Sequence, residues 1–290
     1  MPLNQLSTPL SKDDAYALVD AVMARDDLAI TASAHEDAET GTWVFEATCD
    51  ETPDVAAFAA LAEALFGGAL DFTVEPIDPS VNWVAKSLEG LKPVVAGGFY
   101  VYGSHDEATV PTVGVTPILV DAAQAFGTGH HETTAGCLEA IDRVLKKRQF
   151  RSMIDVGTGT GLLAIALAKR TRRPIIASDI DPVAVVTTDE NARLNGVATF
   201  IRGIEAVGLD HPEITKAGPY DLIVANILVG PLVALAPDMR KAAAHGATII
   251  LSGILNTQVP RIVAAYHAQG IVVAEKLLKS EWATLILTRP

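Results

Sequence analysis

Three glycines at alternate positions follow a short apolar segment that has the composition of a buried strand. The run reads D-V-G-T-G-T-G, and its glycines are Gly157, Gly159 and Gly161. Glycine tolerates positive φ angles and has no Cβ, so the backbone can turn sharply and let a ligand approach it closely. The next segment is typical of a helix, whose N-terminus adds partial positive charge. The pattern predicts a nucleotide-type pocket, and a tight strand-to-helix turn without a ligand is the alternative.

The spacing of the glycines narrows the class of ligand. A dinucleotide fingerprint has the spacing G-x-G-x-x-G and places a pyrophosphate at the helix N-terminus. Here an acid, Asp155, stands two residues before the first glycine, and the loop contains no basic residue. S-adenosylmethionine has no phosphate, and its amino group and sulfonium are cationic, so a carboxylate is electrostatically favourable near it. We therefore expect S-adenosylmethionine as the cofactor. An NAD-dependent oxidoreductase is the rival hypothesis.

A second carboxylate stands at the end of the next predicted strand. Asp179 follows Gly157 by 22 residues, and an acid about twenty residues after the glycine turn typically accepts hydrogen bonds from ribose hydroxyls. Asp181 is the other candidate, but Pro182 follows it, and this pair is a strong helix start. We assign the ribose contact to Asp179, a further cofactor contact to Ile180, and helix capping to Asp181.

An asparagine stands at the end of another predicted strand. Asn226 is the sole polar residue in the run from Leu222 to Leu235, and a buried amide must find hydrogen-bond partners. We expect its carbonyl oxygen to accept a hydrogen bond from a substrate amine and so to aim the nitrogen lone pair at the sulfonium methyl. Asn226 is therefore the candidate catalytic residue, and a satisfied core asparagine is the alternative.

The elements that must position these residues follow a regular β-α rhythm. Strands are predicted at Met153–Val156, Ile175–Ser178, Thr199–Arg202, Asp221–Ala225 and Ala247–Ser252. Helices are predicted at Leu162–Lys169, Pro182–Asn195, Leu232–Ala244 and Val259–His267. Two final strands, Ile271–Lys279 and Trp282–Thr288, predict an antiparallel hairpin. The fold class is therefore α/β: a doubly wound, Rossmann-like sheet of the class I methyltransferase type with a C-terminal antiparallel hairpin.

The first 80 residues differ in charge and pattern. They contain 16 acidic residues against two basic ones, and they predict the β-α-β-β-α-β order of a small ferredoxin-like α+β domain. So acidic a segment repels nucleic-acid phosphates and attracts basic partners. We expect residues 1–80 to be a substrate-recognition domain for a basic protein, 81–110 a linker, and 111–290 the catalytic domain. Solubility alone is the alternative explanation of the charge.

Bulk properties disfavour several other classes of protein. Lys12, Asp13 and Asp14 interrupt the first twenty residues before a targeting signal could form. No largely apolar stretch reaches the roughly 20 residues of a membrane span. The two cysteines, Cys49 and Cys137, form no redox or metal motif. We expect a cytoplasmic monomer.

One further stretch is too specific to be explained by composition. It reads A-F-G-T-G-H-H-E-T-T from Ala125 to Thr134 and leads into a helix predicted at His131–Leu145. This decapeptide resembles the signature A-F-G-T-G-x-H-x-T-T of the PrmA family, the methyltransferases of large-subunit ribosomal protein L-eleven. The glycine run and the segment A-N-I-L-V-G-P-L, which begins at Ala225, are similar to that family in the same order. The resemblance spans nearly the whole C-terminal domain.

The resemblance implies a function and further contact residues. Members of the PrmA family join a small recognition domain to a class I methyltransferase domain, and they methylate lysine side chains and the N-terminal amine of one ribosomal protein. The cofactor contacts that it implies, carried over by motif, are Thr134, Gly157, Asp179 and Asn226, with Phe126 and Thr128 shaping the loop over the cofactor. A methyltransferase of another protein or of nucleic acid is the alternative.

Two clusters of polar residues invite other functions. His130, His131 and Glu132 have side chains that can bind metals, but adjacent ligands point apart and no further cluster accompanies them, so we expect no metal. Basic residues gather at 146–151 and 169–173. We interpret them as solvated helix ends and expect no direct contact with nucleic acid; contact with ribosomal RNA is the open alternative.

Overall fold

The computed structural model describes residues 4–25, 28–37, 40–49, 52–76, 93–120 and 131–290. These residues form two compact units, one within residues 4–76 and one within residues 93–290. The decapeptide up to His130 and residues 81–92 of the predicted linker lie outside them. No helix in the described ranges is long and apolar enough to cross a membrane.

The N-terminal unit consists of an antiparallel sheet and two helices. Its elements are, in chain order, β1 (Asn4–Leu10), α1 (Lys12–Val22), β2 (Thr31–Glu36), β3 (Trp43–Cys49), α2 (Val55–Phe66) and β4 (Thr73–Pro76). The order across the sheet is β2-β3-β1-β4, and each neighbouring pair is antiparallel. This is the order of elements that the sequence predicts.

Local signals in the sequence set the starts of both helices and the end of α2. Ser11 and Asp54 are the N-caps of α1 and α2, because each side chain accepts a hydrogen bond from the amide three residues later. Gly67 ends α2 with a φ of 72°, a conformation that glycine adopts without steric cost. The core is formed by the helices and one face of the sheet. There Phe45 and Phe58 are fully buried, with ring centroids 6.4 Å apart.

Three short strands come first in the C-terminal unit and form a sheet of their own: β5 (Val94–Ala96), β6 (Phe99–Tyr102) and β7 (Thr116–Leu119). Val94, Phe99 and Val101 belong to a large hydrophobic core of this unit. The linker predicted over residues 81–110 is therefore wrong at its C-terminal end, because β5 and β6 are part of the packed unit.

A seven-stranded mixed sheet forms the centre of the C-terminal unit. Its strands are β8 (Met153–Val156), β9 (Ile175–Asp179), β10 (Ile201–Glu205), β11 (Tyr220–Asn226), β12 (Ala243–Leu255), β13 (Val272–Lys279) and β14 (Trp282–Thr288). The order across the sheet is β10-β9-β8-β11-β12-β14-β13. The first five strands are parallel, and β14 is antiparallel to both of its neighbours.

Helices cover both faces of this sheet. They are α3 (His131–Lys147), α4 (Leu162–Thr171), α5 (Pro182–Leu194), α6 (Pro212–Ala217), α7 (Val229–Ala234), α8 (Ala236–Ala242) and α9 (Val259–His267). Alternate residues of β11 enter different cores: Leu222 and Val224 pack with α3 to α5, whereas Ile223 and Ala225 pack with α6 to α9. A strand that is buried on both faces is apolar throughout, which explains the unbroken apolar run in the sequence.

One predicted helix is wrong. The span Leu232–Ala244 contains the end of α7 and the whole of α8, and its last two residues begin β12. Pro237 lies in the first turn of α8, and a proline in a helix interior removes a hydrogen bond and clashes with the preceding turn. The apolar pattern continues across this break, so the pattern alone predicts a single helix.

Gly253 lies in β12 where the backbone passes close to the residue after β11. Its φ is +79°, and a Cβ built on it would lie 2.4 Å from the carbonyl oxygen of Ile227. Gly246 has a similar φ of +70°, but within the described ranges no heavy atom lies within 4 Å of its built Cβ. Substitutions at the two glycines therefore distinguish the cost of backbone strain from the cost of steric overlap.

We expect Gly253→Ala to lower the free energy of unfolding by about 2 to 4 kcal/mol, because strain and overpacking add. We expect Gly246→Ala to lower it by about 1 kcal/mol, from backbone strain alone. Urea unfolding followed by circular dichroism measures both losses. Equal losses in the two variants would contradict the steric argument.

Candidate functional site

Three predicted site segments meet at one edge of the seven-stranded sheet. The glycine turn follows β8, Asp179 ends β9, and Asn226 ends β11. Strand β8 lies between β9 and β11, and all three are parallel. Their carboxyl ends therefore lie side by side, at the edge where α/β sheets bind ligands.

The glycine turn has the backbone conformation that the sequence predicts. The φ angles of Gly157, Gly159 and Gly161 are 68°, 56° and 80°. A Cβ on Gly157 would lie 2.3 Å from Ile227 Cγ2, so the chain after β11 packs directly on the turn. Among the residues that the structure describes, a Cβ on Gly159 would meet no heavy atom within 4 Å. Gly159 therefore borders open space, where a ligand could approach the backbone.

Asp179 links β9 to the glycine turn. One carboxylate oxygen accepts a hydrogen bond from Gly159 N at 2.8 Å, and the other accepts one from Asp181 N at 3.1 Å. Asp181 accepts from Val183 N at 2.8 Å and is the N-cap of α5, which confirms its predicted role. Each oxygen of Asp179 keeps a lone pair for a further donor. The adjacent side chain of Ile180 is 67% exposed.

Helix α5 supplies two supports that the sequence reasoning missed. Thr188 Oγ1 donates to Gly159 O at 3.0 Å, and Asn191 Nδ2 donates to Thr160 O at 2.9 Å. Both side chains are buried. They lie three residues apart on a helix and so share a face. A pair of polar residues at that spacing on the buried side of α5 was the signal that could have identified them.

The carboxyl group of Asp155 lies beneath the glycine turn and is 1% exposed. Its Oδ2 accepts hydrogen bonds from Thr158 Oγ1 at 2.8 Å and from Ala164 N at 3.1 Å. Within the described part of the chain, its Oδ1 has no hydrogen-bond partner. Burial raises the pKa of this carboxyl to about 7, although both hydrogen bonds act to lower the pKa. Asp155 therefore supports the turn through Thr158 and the first turn of α4. Its predicted place beside the cofactor stays a prediction.

Asn226 lies half-buried at the end of β11 and contacts the first turn of α3. Its Nδ2 donates to Thr133 Oγ1 at 3.5 Å, a long hydrogen bond. The carbonyl oxygen of Thr133 accepts from Ser252 Oγ at 3.3 Å, and that hydroxyl is 2.9 Å from Thr284 Oγ1. A polar layer thus crosses α3, β12 and β14 behind Asn226. The sequence reasoning missed this layer, although Thr133 is part of the family-like decapeptide.

The structure describes one of the three remaining predicted site residues. Thr134 lies in the first turn of α3 and is 9% exposed. Phe126 and Thr128 lie outside the described residues. Among the side chains that the structure describes, no group of three or more His, Cys, Asp or Glu residues could hold a metal ion.

Comparisons with known proteins agree on one family. The family described as ribosomal protein L11 methyltransferase (PrmA) matches residues 8–290. A ribosomal protein L11 methyltransferase of Brucella abortus (strain S19) is 46% identical over 245 residues, which cover 84% of this chain and 85% of the relative. One from Rhodopseudomonas palustris (strain BisB5) is 44% identical over 250 residues, covering 86% and 84%. The solved ribosomal protein L11 methylase from Lactobacillus delbrueckii subsp. bulgaricus is 28% identical with a TM-score of 0.62, covering 69% of this chain and 99% of that one.

The sheet and the site together define the class of protein. A mixed central sheet, with a glycine turn after β8 and an acid at the end of β9, is a class I methyltransferase-like α/β fold. The family match over residues 8–290 and the identities of 44 and 46% then lead to a narrower conclusion. The chain belongs to the ribosomal protein L11 methyltransferase (PrmA) family, and the resemblance found in the sequence is confirmed.

The raised pKa of Asp155 makes stability depend on pH. Below pH about 4 this carboxyl is protonated in both the folded and the unfolded chain. Between pH about 4 and about 7 the unfolded chain ionises here while the folded chain stays protonated. The stabilisation that protonation gives is therefore lost as the pH rises through this window. The free energy of unfolding lost across this window is at most about 4 kcal/mol, since a pKa difference of one unit corresponds to about 1.4 kcal/mol.

We expect Asp155→Asn to remove this dependence, because an amide does not ionise. Relative to the parent chain, the variant should gain up to about 4 kcal/mol of unfolding free energy between pH about 4 and about 7.5. Urea unfolding at a series of pH values measures the difference, and Asp238→Asn, at an exposed acid on α8, is the control. A difference from the parent that does not vary with pH would contradict the raised pKa.

Proposed function

We propose that this chain transfers methyl groups from S-adenosylmethionine to ribosomal protein L11, at lysine side chains and at the N-terminal amine. The main support for the proposal is that the family match and the geometry of the site indicate the same activity. The family match extends over residues 8–290, and the glycine turn, Asp179 and Asn226 lie at one edge of the sheet. The relatives' names supply the substrate, and the sheet edge supplies a place for the methyl donor.

The residues at this edge fit S-adenosylmethionine. The open space beside Gly159 admits a ligand to the backbone. Asp179 offers carboxylate lone pairs to ribose hydroxyls, and the exposed side chain of Ile180 offers an apolar surface to an adenine ring. When bound, the cofactor supplies a methyl group on a cationic sulfur. The other contacts are proposed from the family motif, at Phe126, Thr128 and Thr134.

Asn226 is proposed to orient the substrate amine. Its Nδ2 is directed to Thr133 Oγ1, so its Oδ1 is the atom left to accept a hydrogen bond from the amine. That hydrogen bond aims the nitrogen lone pair at the methyl carbon, and alignment of reacting groups supplies much of the rate in such reactions. An uncharged acceptor also avoids stabilising the unreactive ammonium form of the amine.

The amine must lose its proton before it can attack. A lysine with a pKa of about 10.4 is neutral in roughly one part in a thousand near pH 7.4, which adds about 4 kcal/mol to the barrier. An α-amine with a pKa near 8 meets a much smaller penalty. Asp155 cannot act as the base from beneath the turn, because its side chain is 1% exposed. We propose that water takes the proton while the pocket desolvates the ammonium.

The N-terminal unit is proposed as a ferredoxin-like recognition domain for ribosomal protein L11. Its helices and strands alternate as β-α-β-β-α-β, and the sheet order β2-β3-β1-β4 fits that fold. Sixteen acidic residues against two basic ones among residues 1–80 favour a basic protein partner. The antiparallel pair β13 and β14 is likewise proposed to be the C-terminal hairpin of the methyltransferase fold.

We expect Asp179→Asn to weaken S-adenosylmethionine binding by about 10- to 100-fold, because hydrogen bonds to a charged acceptor are worth about 1.5 to 3 kcal/mol. Calorimetric titration measures the dissociation constant. Asp181→Asn is the matched control two residues away, since asparagine caps a helix as well as aspartate does. Equal loss of affinity in the two variants would remove Asp179 from the binding site.

We expect Asn226→Ala to lower kcat by about 10²- to 10³-fold, the usual cost of losing one positioned polar group. Its S-adenosylmethionine affinity should change much less, because the main role proposed for Asn226 is toward the amine. Methyl transfer and calorimetry measure the two quantities, and Asn256→Ala, at an exposed asparagine after β12, is the control. Unchanged methylation by Asn226→Ala would exclude the proposed role.

The whole proposal is tested with labelled S-adenosylmethionine and purified ribosomal components. Label should appear on ribosomal protein L11, and mass spectrometry should place it on amines. Label on RNA with none on protein would overturn the proposal. Label on a different ribosomal protein would support the methyl-transfer activity and exclude ribosomal protein L11 as the substrate.

A further inference from the structure

A second cleft lies at the opposite edge of the seven-stranded sheet. It has a volume of about 320 Å³ and is formed where α3 and α4 end, beside the amino ends of β8 and β9. In the part of the chain that the structure describes, its charged lining consists of four cations and one acid, Lys146, Arg148, Arg170, Arg173 and Asp142. We call it the basic cleft. It shares no residue with the glycine-turn site.

The basic cleft is exceptional for this chain. Residues 143–173 contain nine of the 22 lysines and arginines and only one of the 35 acids. That acid is Asp155, which is buried beneath the glycine turn. The segment therefore carries a formal charge of +8 in a chain whose net charge is −13. Such a local excess of one sign focuses a positive potential.

Helix ends alone do not explain the basic residues. Cations stabilise the last turn of a helix, and Lys146 on α3 and Arg170 on α4 are in such turns. Arg148, Arg151 and Arg173 come after the two helices have ended. The helix dipoles therefore do not account for the whole excess of positive charge.

Two guanidinium groups are held in fixed positions in the cleft. Arg148 donates to the carbonyl oxygens of Gly246 and Asp221, both at 2.8 Å, and lies 4.4 Å from the centre of the Phe150 ring. Arg170 donates to two backbone carbonyls at 3.1 and 3.2 Å and lies 4.5 Å from the centre of the Phe99 ring. Their positive charges are thus preorganised, so a ligand would not have to order them.

Other cations remain available to a ligand. Arg151 and Arg173 are exposed. Lys146 is also exposed and pairs with Asp142 at 2.6 Å, but a surface ion pair within one helix is worth only about 0.3 to 0.5 kcal/mol. A polyanion can therefore recruit all three side chains. Fixed charges with exposed cations around them suit a chain of phosphates.

We propose that the basic cleft binds the phosphate backbone of RNA. Arginine forks match the oxygens of phosphate, and four of the five cations discussed are arginines. Phe150 is 2% exposed and cannot stack on a base, so recognition is by backbone charge without preference for base sequence. The choice of RNA rests on the proposed function, because RNA is the polyanion that accompanies a ribosomal protein. The sequence-based expectation of no nucleic-acid contact came from the acidic residues 1–80 and from the interpretation of these basic residues as solvated helix ends. The cleft belongs to the other unit, and its arginines extend past the helix ends.

The test is a fluorescence anisotropy titration of the full chain with a labelled single-stranded RNA of about 20 nucleotides. Three to four phosphate contacts predict a slope of about −2 to −3 for log affinity against log salt between about 50 and 200 mM. The variant Lys146→Glu/Arg173→Glu should bind at least about ten-fold more weakly and have a shallower slope. The neutral variant Lys146→Gln/Arg173→Gln should lose a smaller part of the affinity.

The matched control is Lys216→Glu/Lys241→Glu, which changes the net charge by the same amount. Lys241 forms an ion pair within α8 at 2.8 Å, as Lys146 does within α3, and Lys216 is exposed on α6. This control should bind RNA less than about three-fold more weakly than the parent chain, because loss of net charge alone is a weak effect at a distance. Equal losses in the two glutamate variants would overturn the proposal. Thermal unfolding by circular dichroism confirms that each variant is folded.

Two competitors distinguish RNA from other anions. Displacement of RNA by low millimolar inorganic phosphate would mean that the cleft is a site for free phosphate, and the proposal would fail. Equally tight binding of poly-L-glutamate would mean an acidic protein partner, and the proposal would also fail. Methyl transfer is not part of the measurement, so failure of the proposed enzymatic function leaves this result interpretable.

Discussion

The glycine turn is the constraint on which the rest of the C-terminal unit depends. Positive φ angles at three alternate residues take the backbone out of regular hydrogen bonding, so its amides and carbonyls need other partners. Strand β9 and helix α5 provide them, through the main chain of Ser178 and the side chains of Asp179, Thr188 and Asn191. These partners hold the shape of the turn, and among the described residues they leave space beside Gly159. The contacts that fix the turn therefore also keep part of its backbone accessible to a ligand.

Parallel strands explain how one sheet can have two edges with different chemistry. The carboxyl ends of β8, β9 and β11 bring a carboxylate, an amide and the glycine turn together. The amino ends of β8 and β9 follow directly after α3 and α4, so the same connections bring helix ends and arginines together at the opposite edge. A small reactive ligand and a long polyanion could therefore bind this unit without competing for the same surface.

Much of this arrangement follows from local sequence patterns. The strand Met153–Val156 and the positive φ angles at the glycines are determined within a few residues, as is the cap at Asp181, so the sequence predicts them correctly. The break between α7 and α8 is not visible, because the apolar residues continue through it. The depth of Asp155 and the contacts of Thr133 could not be predicted either. Both depend on which elements pack together, and composition and spacing do not contain that information.

The polar layer behind Asn226 has a consequence for how this unit acquires activity. Asn226 and Thr133 are 93 residues apart in the chain, and Ser252 and Thr133 are 119 residues apart. Contacts between residues so distant in sequence close long loops, and the entropy of loop closure opposes their formation. The layer also needs Thr284, in the last strand of the sheet. A nascent chain therefore cannot complete this layer until β14 has left the ribosome, so Asn226 of the proposed enzyme would gain its full support only after all seven strands of the sheet have been made.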